Sequence, residues 1–354
     1  MTYLRDHPTW WHVLVGLNVA IVLFGCSPSP RQGARPEPQA VPAEPEEIAA
    51  RSERITLFLE FRPGTKTRYR VTTEAVTIME DVEVAIGGNF SPAPLARISE
   101  AIEVVFTREI LEPASKDPNT VAALITIDQV KYSRKSPEQA DLVFDSREPA
   151  HRGSPFARLI GQTYTIEIHP LGYVPGIFNL NTVRLAVRGS SPAHAAALDL
   201  VSPPAIFQRH GFFSLPGPDV GSLAAGGRWR GVQQVTFKTL GAGMDRLGTH
   251  RFEKIYRLES VEQRPGGAVA VVAFTGSPIP RRPTDGRLSE IPFLSCSYVG
   301  GGEFNLDAGR VEDYVEHLEA RIPLPRTGSS RGENSEGSIV IATRSLRAQR
   351  LELE

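Results

Sequence analysis

Apolar and polar residues alternate with a period of two over much of the chain. The first two runs occupy residues 55–61 and 69–75, with the dipeptide Pro63-Gly64 between them. Similar runs follow at residues 98–110, 121–130, 164–168, 229–237, 252–258, 269–274 and 338–344. Such alternation places one face of a strand in a core and the other in water, and glycine and proline in the gaps are typical of antiparallel meanders. The pattern predicts a mainly β (α+β) fold with a large, curved antiparallel sheet or sheets.

Helical signals are fewer. Ser191 offers an N-cap, Pro192 suits the first helical position, and the alanine-rich stretch 193–198 favours a helix. Residues 311–322 have apolar positions at helical spacing but follow the turn-like stretch 307–309. Periodicity alone therefore leaves this second segment open between helix and strand.

The N-terminal residues have the organisation of an export signal. Arg5 precedes an apolar run from Val13 to Phe24, which is shorter than the ~20 residues that a membrane-spanning helix needs. The run ends in Leu23-Phe24-Gly25-Cys26, which resembles the lipobox of bacterial lipoproteins, in which the cysteine sulfur carries a diacylglycerol. The resemblance implies lipidation of Cys26. The alternative is a core cysteine at the end of a buried segment.

A proline-rich segment follows the cysteine. Its prolines are too closely spaced for a helix or strand and favour an extended linker: Pro28, Pro30, Pro36, Pro38, Pro42 and Pro45. We therefore divide the chain into a signal peptide at 1–25, the lipid-anchor Cys26 with its linker at 26–50, a first β-unit at 51–190, a helical connection at 191–215, and a second β-unit at 216–354 with a mobile polar loop near 326–337.

The two β-units share a faint repeat. Gly161, Tyr164, Ile166, Gly172 and Val174 are mirrored by Gly301, Phe304, Leu306, Gly309 and Val311, and Gly64, Tyr69 and Val71 by Gly227, Trp229 and Val232. Both sets occur in the same order, which favours two related β-meander units. Chance likeness among meanders is the alternative.

Composition narrows the functional classes. The 354 residues include 39 basic and 40 acidic ones, so the formal net charge of −1 provides no global field that would attract nucleic acid. Two cysteines in the whole chain exclude a disulfide scaffold. We expect a protein whose stability comes from a large core and which has no nucleic-acid partner.

Motifs for catalysis or metal binding are weak. The histidines after the signal segment stand alone in the sequence, at His151, His169, His194, His210, His250 and His317, whereas zinc needs three or four converging ligands, so we expect scattered surface or turn histidines. Residues 328–332 match Gly-x-Ser-x-Gly, but polar loop residues flank them in place of the strand and helix of a nucleophile elbow. Cys296 lies in a strand-like run, and we interpret it as a small buried hydrophobe and not a catalytic thiolate. We predict no catalytic residue, metal or cofactor.

Acidic and basic residues leave two further possibilities open. Five carboxylates are candidates for a glycosidase pair, because the required separation is spatial: Asp128, Asp141, Asp145, Glu167 and Asp307. Arg281-Arg282, Arg68 with Arg70, and Arg228 with Arg230 are candidate contacts for anionic envelope polymers or lipid head groups. Solvated strand faces are the alternative for both sets.

Several short motifs together resemble a family of exported bacterial lipoproteins known as a domain of unknown function. They are the lipobox, the proline-rich spacer, the early Pro-Gly-x-x-x-Arg-Tyr-Arg strand, the central stretch from Leu215-Pro216 to Trp229, and the late Gly301–Asp307 with Gly309. The resemblance covers about residues 54–354. It implies a secreted, strand-rich domain without functional residues to carry over, and it favours a hairpin strand for residues 311–322.

These observations predict a lipid-anchored cell-envelope protein with a non-enzymatic binding or structural role. Its partners would be the membrane, through the anchor, and an apolar ligand or envelope polymer in an apolar, aromatic-lined concavity of the sheet, free of clustered His, Asp and Glu. Ser27 after Cys26 favours the periplasmic face of the outer membrane where two membranes are present. The alternative is an envelope hydrolase that uses a pair of carboxylates.

Overall fold

A computed structural model describes residues 54–82, 93–112, 120–137, 139–211, 213–217, 220–236, 249–280, 293–325 and 338–352. These residues belong to the unit Arg51–Glu354. They form one large antiparallel sheet of 12 strands with few helices, which confirms the mainly β prediction.

The strands are β1 Lys66–Val82, β2 Ala93–Ile110, β3 Val121–Ser136, β4 Gln139–Asp145, β5 Thr163–Ile168, β6 Gly176–Phe178, β7 Arg228–Thr236, β8 Thr249–Arg264, β9 Gly267–Pro278, β10 Ser295–Asn305, β11 Arg310–Pro325 and β12 Ser338–Glu352. The helices are α1 Leu180–Ala186, α2 Pro192–Leu200 and α3 Pro203–His210, and two short 3-10 helices occupy Pro149–His151 and Pro155–Leu159.

The sheet joins the first and last strands of the chain. Its order is β6-β5-β3-β2-β1-β12-β11-β10-β9-β8-β7, and β4 pairs with β3 off this path. The register of β1 against β12 is continuous from Arg68 with Glu352 to Val82 with Ser338. Helices α1, α2 and α3 connect β6 to β7, the two end strands. The division of the chain into two related units stays a prediction.

The alternation of β1 separates a buried face from a charged one. Tyr69 and Val71 are buried, whereas Arg68 and Arg70 lie on the opposite face. Arg70 pairs with Glu103 and Glu352 on the strands at either side. Cross-strand ion pairs of this kind stabilise a solvated face modestly. The basic spot expected at Arg68 and Arg70 is therefore neutralised by neighbouring strands.

The run at residues 55–61 is not a strand of the sheet. Ile55, Leu57 and Leu59 are buried in alternation, as predicted, but the segment makes a single isolated bridge, between Ile55 and Leu223. The amide of Leu59 instead donates to the carbonyl of Pro170, in the turn after β5, at 2.9 Å. A period of two reports which side chains are buried and not which backbone groups pair.

Helices α1, α2 and α3 lie in the connection between the end strands. In α2, the Ser191 hydroxyl accepts from the amide of His194, which is the predicted cap, and α3 has the same arrangement at Ser202. Residues 311–322 lie in β11, which forms a hairpin with β10, so the strand implied by the family resemblance is confirmed. Helix α1 was not predicted.

Candidate functional site

Three charged side chains lie on the buried face of the sheet, where an apolar surface was predicted. Lys254 on β8 is fully buried, and Glu316 on β11 and Arg347 on β12 are 9% and 7% exposed. Each occupies an inward position of its strand; Lys254 lies between the buried Phe252 and Tyr256. A charge removed from water is costly unless it is paired and hydrogen-bonded, so this correction to the prediction requires a compensating arrangement.

Glu316 is the centre of this buried ion cluster. Its Oε2 atom lies 3.0 Å from Lys254 Nζ, and its Oε1 atom lies 2.6 Å from Arg347 Nη2. The hydroxyls of Tyr298 and Tyr314 donate to Oε2 at 2.7 and 2.6 Å. One carboxylate therefore pairs with two cations and accepts hydrogen bonds from Lys254 and two phenols.

The two cations are also held by other groups. Lys254 Nζ lies 4.0 Å from the centroid of the Phe274 ring and 4.4 Å from that of Tyr298, and it donates to the Tyr314 hydroxyl at 3.0 Å. Arg347 donates to the carbonyl of Gln208, near the end of α3. Cation–π contacts and a helix-end carbonyl therefore add to the ion pairs of the cluster.

The electrostatics of the cluster fix its charge state. Burial favours the neutral acid, but the charges of Arg347 and Lys254 and the two tyrosine hydrogen bonds together lower the pKa of Glu316 to about 2. Burial lowers the pKa of Lys254 to about 8, against the opposing charge of Glu316. Burial and Glu316 raise the pKa of Tyr298 and Tyr314 well above the ordinary value. At neutral pH the carboxylate is ionised and both phenols are neutral donors.

A cavity of about 30 Å³ lies on the same face of the sheet. Its polar lining is Tyr69, Arg108, His210 and Gln349. Gln349 is two residues from Arg347 on β12, and the lining residue Phe213 contacts Tyr314 with ring centroids 5.2 Å apart. The ion cluster and the cavity are therefore neighbours, with the Phe213 ring at their boundary.

One arginine, Arg108, lines the cavity, and a second, Arg209, lies near it. Arg108 Nη2 donates to the Tyr69 hydroxyl at 2.7 Å, and its guanidinium lies 4.7 Å from the centre of that ring. Arg209, 6% exposed, donates to the carbonyl of Leu200 at 2.8 Å. Across the described part of the chain, neither arginine forms an ion pair with a carboxylate, in contrast to Lys254 and Arg347.

His210 also lines the cavity. Its Nε2 atom lies 2.8 Å from the hydroxyl of Tyr164, which also accepts from Arg209 at 3.5 Å. Burial first, and then the charges of Arg209 and Arg108, lower the pKa of His210 well below its ordinary value. The imidazole is neutral at neutral pH, and the charges that act on it are both positive.

Two polar atoms next to the cavity have no hydrogen-bond partner among the described residues. They are Oε1 of Gln349, whose side chain is 4% exposed, and Nε of Arg108. Most buried polar atoms in folded proteins are paired with protein or water, so such atoms indicate a missing partner. The cavity differs from the ion cluster in its ion pairs, because both cations of the cluster pair with Glu316.

The five candidate carboxylates are distributed over separate places. Asp128 accepts from Thr107 on β2 at 2.7 Å, Asp145 pairs with Arg147 at 2.9 Å, and Asp307 accepts from the amide of Ala268 at 3.0 Å. Asp141 is exposed on β4, and Glu167 lies on β5. No two of them contact one another in the hydrogen bonds and ion pairs of the described residues, so a carboxylate pair gains no support.

The remaining candidates from the sequence are the cysteines, the histidines, one arginine pair and the Gly-x-Ser-x-Gly stretch. Burial raises the pKa of the Cys296 thiol to about 11, so this residue is a neutral thiol packed against the core. His210 differs from the scattered surface histidines that were expected, because it lines the cavity. Cys26, Arg281-Arg282 and the Gly-x-Ser-x-Gly stretch lie outside the described residues.

Over the ranges that the structure describes, the chain has neither a metal-ligand cluster nor a membrane-spanning helix. No group of three or more His, Cys, Asp or Glu residues there is arranged to hold a metal ion. No helix there has the length and hydropathy to span a membrane.

Comparisons with known proteins give distant likenesses. No family model and no curated protein sequence matches the chain. An outer membrane channel from Pseudomonas putida is similar at 8% identity with a TM-score of 0.21, covering 87% of this chain and 99% of the other. An exported protein with a YmcC-like fold from Bacteroides fragilis is similar at 8% identity with a TM-score of 0.21, covering 84% and 100%. TM-scores this low carry no argument about this chain.

Proposed function

We propose that this protein is an exported, lipid-anchored component of a bacterial cell envelope with a non-enzymatic binding or structural role. The observation that carries the anchor is the sequence Leu23-Phe24-Gly25-Cys26 at the end of a short apolar run. Two or more acyl chains on Cys26 and its amino group would hold the chain durably, at about 0.8 kcal/mol per buried methylene. The proline-rich segment at 27–50 would keep the folded unit away from the bilayer.

The non-enzymatic part of the proposal is supported by the ion cluster. Glu316 has a strongly perturbed pKa, a property common at catalytic sites, but structural ion pairs perturb pKa values as well. Its oxygens are occupied by Lys254, Arg347, Tyr298 and Tyr314, so it is not poised to exchange protons with a substrate. We assign the cluster a structural role, which is to fix β8, β10, β11 and β12 against one another.

The size of the described cavity favours some ligands over others. A volume of about 30 Å³ holds about two water molecules, whereas drug-sized ligands occupy roughly 300 to 1,000 Å³. A large apolar ligand therefore gains no support from this cavity. The role that we favour is structural, or the binding of a compact ligand.

Membrane fractionation of two matched variants tests the anchor. We expect Cys26→Ser to move the protein from the detergent-requiring pellet to the soluble fraction, because it removes the thioether-forming sulfur. Cys296→Ser changes the other cysteine of the chain and should leave the protein in the pellet. If Cys26→Ser remains in the pellet, the lipid anchor is refuted. Separation of inner and outer membranes of the wild-type cells then tests the outer-membrane location.

A further inference from the structure

We propose that the cavity lined by Arg108, His210 and Gln349 binds a compact anion, either a halide-sized inorganic ion or the carboxylate group of a small organic molecule. This inference does not rest on the lipid anchor, because it concerns only the described interior of the folded unit. It assigns the binding role to one place in the fold.

The first support is the balance of charge. In the ion cluster, the buried Lys254 and Arg347 each pair with Glu316, at 3.0 and 2.6 Å. Arg108, which lines the cavity, forms no ion pair within the described ranges. Nor does Arg209, which is 6% exposed and contacts Tyr164, the hydrogen-bond partner of His210. A buried cation without a counter-charge costs several kcal/mol, and a bound anion supplies that charge.

The second support is hydrogen bonding. Nε of Arg108 is buried and without a partner among the residues that the structure describes, and Arg108 already donates to Tyr69 from Nη2. A guanidinium has five N–H donors and no acceptor, so the missing partner of Nε is an acceptor. Arginine donors bind anionic oxygens especially well.

Gln349 provides the second contact. Its side chain is 4% exposed, and Oε1 has no partner in the described structure. A primary amide presents either its oxygen or its N–H₂ group after a half-turn of the terminal bond. It can therefore donate to an anion, or accept from a water molecule that accompanies the anion.

Size selects the ligand class. About 30 Å³ holds roughly two waters or a group of similar size, such as chloride or a carboxylate, and excludes nucleotides and sugars. Apolar residues such as Phe106 and Leu215 complete the lining. An environment of low polarity strengthens the attraction between Arg108 and an anion.

The test is thermal unfolding of the full chain in increasing sodium chloride or sodium formate. We expect the melting temperature of the wild type to rise by a few degrees and then saturate, because a ligand that binds only the folded state stabilises it. Arg108→Gln should lose this response. Arg344→Gln, which changes an exposed arginine on β12, should keep it. A response to chloride alone, to formate alone or to both distinguishes the two sources of the anion.

If Arg108→Gln does not fold, a second variant tests the proposal. Gln349→Glu places a covalent carboxylate in the cavity. We expect a higher melting temperature than the wild type at low salt and neutral pH, and loss of the response to both anions. The proposal is overturned if Gln349→Glu is destabilised at low salt, or if the wild type and Arg108→Gln respond equally to both anions.

Discussion

Two neighbouring regions of the same buried face differ in whether their cations have acidic partners. Between β8 and β12, one carboxylate, Glu316, pairs with Lys254 and Arg347 and accepts from two tyrosines. Below the end of α3, Arg108 and Arg209 have no acidic partner in the described residues, and a cavity lies beside Arg108. We call the first region complete because each of its cations has an acidic partner, and the second incomplete because its arginines have none in the described residues. Burial of charge alone therefore does not indicate a binding site, whereas a cation without an acidic partner beside a cavity is a stronger indication.

The largest expected effect is on the complete region. We expect Glu316→Gln to lower the free energy of unfolding by about 3 to 5 kcal/mol, because it leaves Arg347 buried without a counter-charge. Lys254 can release its proton, but arginine cannot. Urea denaturation measures the change. Glu319→Gln, three residues along β11 and 51% exposed, should change stability by less than about 0.5 kcal/mol. Equal effects of the two substitutions would contradict the structural role of the cluster.

The pH dependence of stability sharpens the same contrast. Glu316 has a folded pKa of about 2 and an ordinary value of 4.5, so its contribution is present above pH 4.5 and is lost as the pH falls towards 2. Lys254 has a folded pKa of about 8 and an ordinary value of 10.5, so stability rises between these values as its proton is released. In Glu316→Gln the acid-dependent loss should be smaller than in the wild type. Parallel curves for the two proteins between pH 4.5 and 2 would rule out this assignment.

The smallest expected effect is on the incomplete region. Gln349→Leu removes a buried oxygen that has no partner within the described structure. Leucine is an apolar side chain of similar size. We expect the free energy of unfolding at low salt to stay within about 1 kcal/mol of the wild type, with any change in the stabilising direction, because an unsatisfied polar group is replaced by an apolar one. Urea denaturation of Gln349→Leu and Glu316→Gln under the same conditions compares the two changes in the free energy of unfolding. If Gln349→Leu lowers the free energy of unfolding as much as Glu316→Gln does, the two regions do not differ in the way described.

Much of the sheet was predictable from alternation. The runs at 69–75, 98–110 and 121–130 lie in β1, β2 and β3, because one buried face imposes a period of two. The run at 55–61 shows the limit, since its buried positions are right but its backbone pairs with turns. The pairing of β1 with β12 joins distant residues, and alternation within a run carries no information about such partners.

The polar interior was missed although the sequence contains a signal for it. Lys254 lies in phase with Phe252 and Tyr256, and Glu316 lies in phase with Tyr314 and Leu318, so both charges occupy inward positions of their strands. A charge in the apolar phase of a strand predicts a buried partner of opposite sign. At the cavity, Arg108 gives a similar signal, because it lies in phase with the buried Phe106 and Ile110. The cavity itself had none, because its lining comes from β1, β2, β5, β11, β12, α3 and loops that only the fold brings together.

The most direct test of the central contrast is a pair of crystal structures, one grown in sodium bromide and one in sodium formate, with anomalous data collected at the bromine edge. We predict a bromide peak, a formate ion or both in the cavity, within hydrogen-bond distance of Arg108, and no anion at the ion cluster, where Glu316 already pairs with Lys254 and Arg347. A cavity that holds only water in both crystals would contradict it.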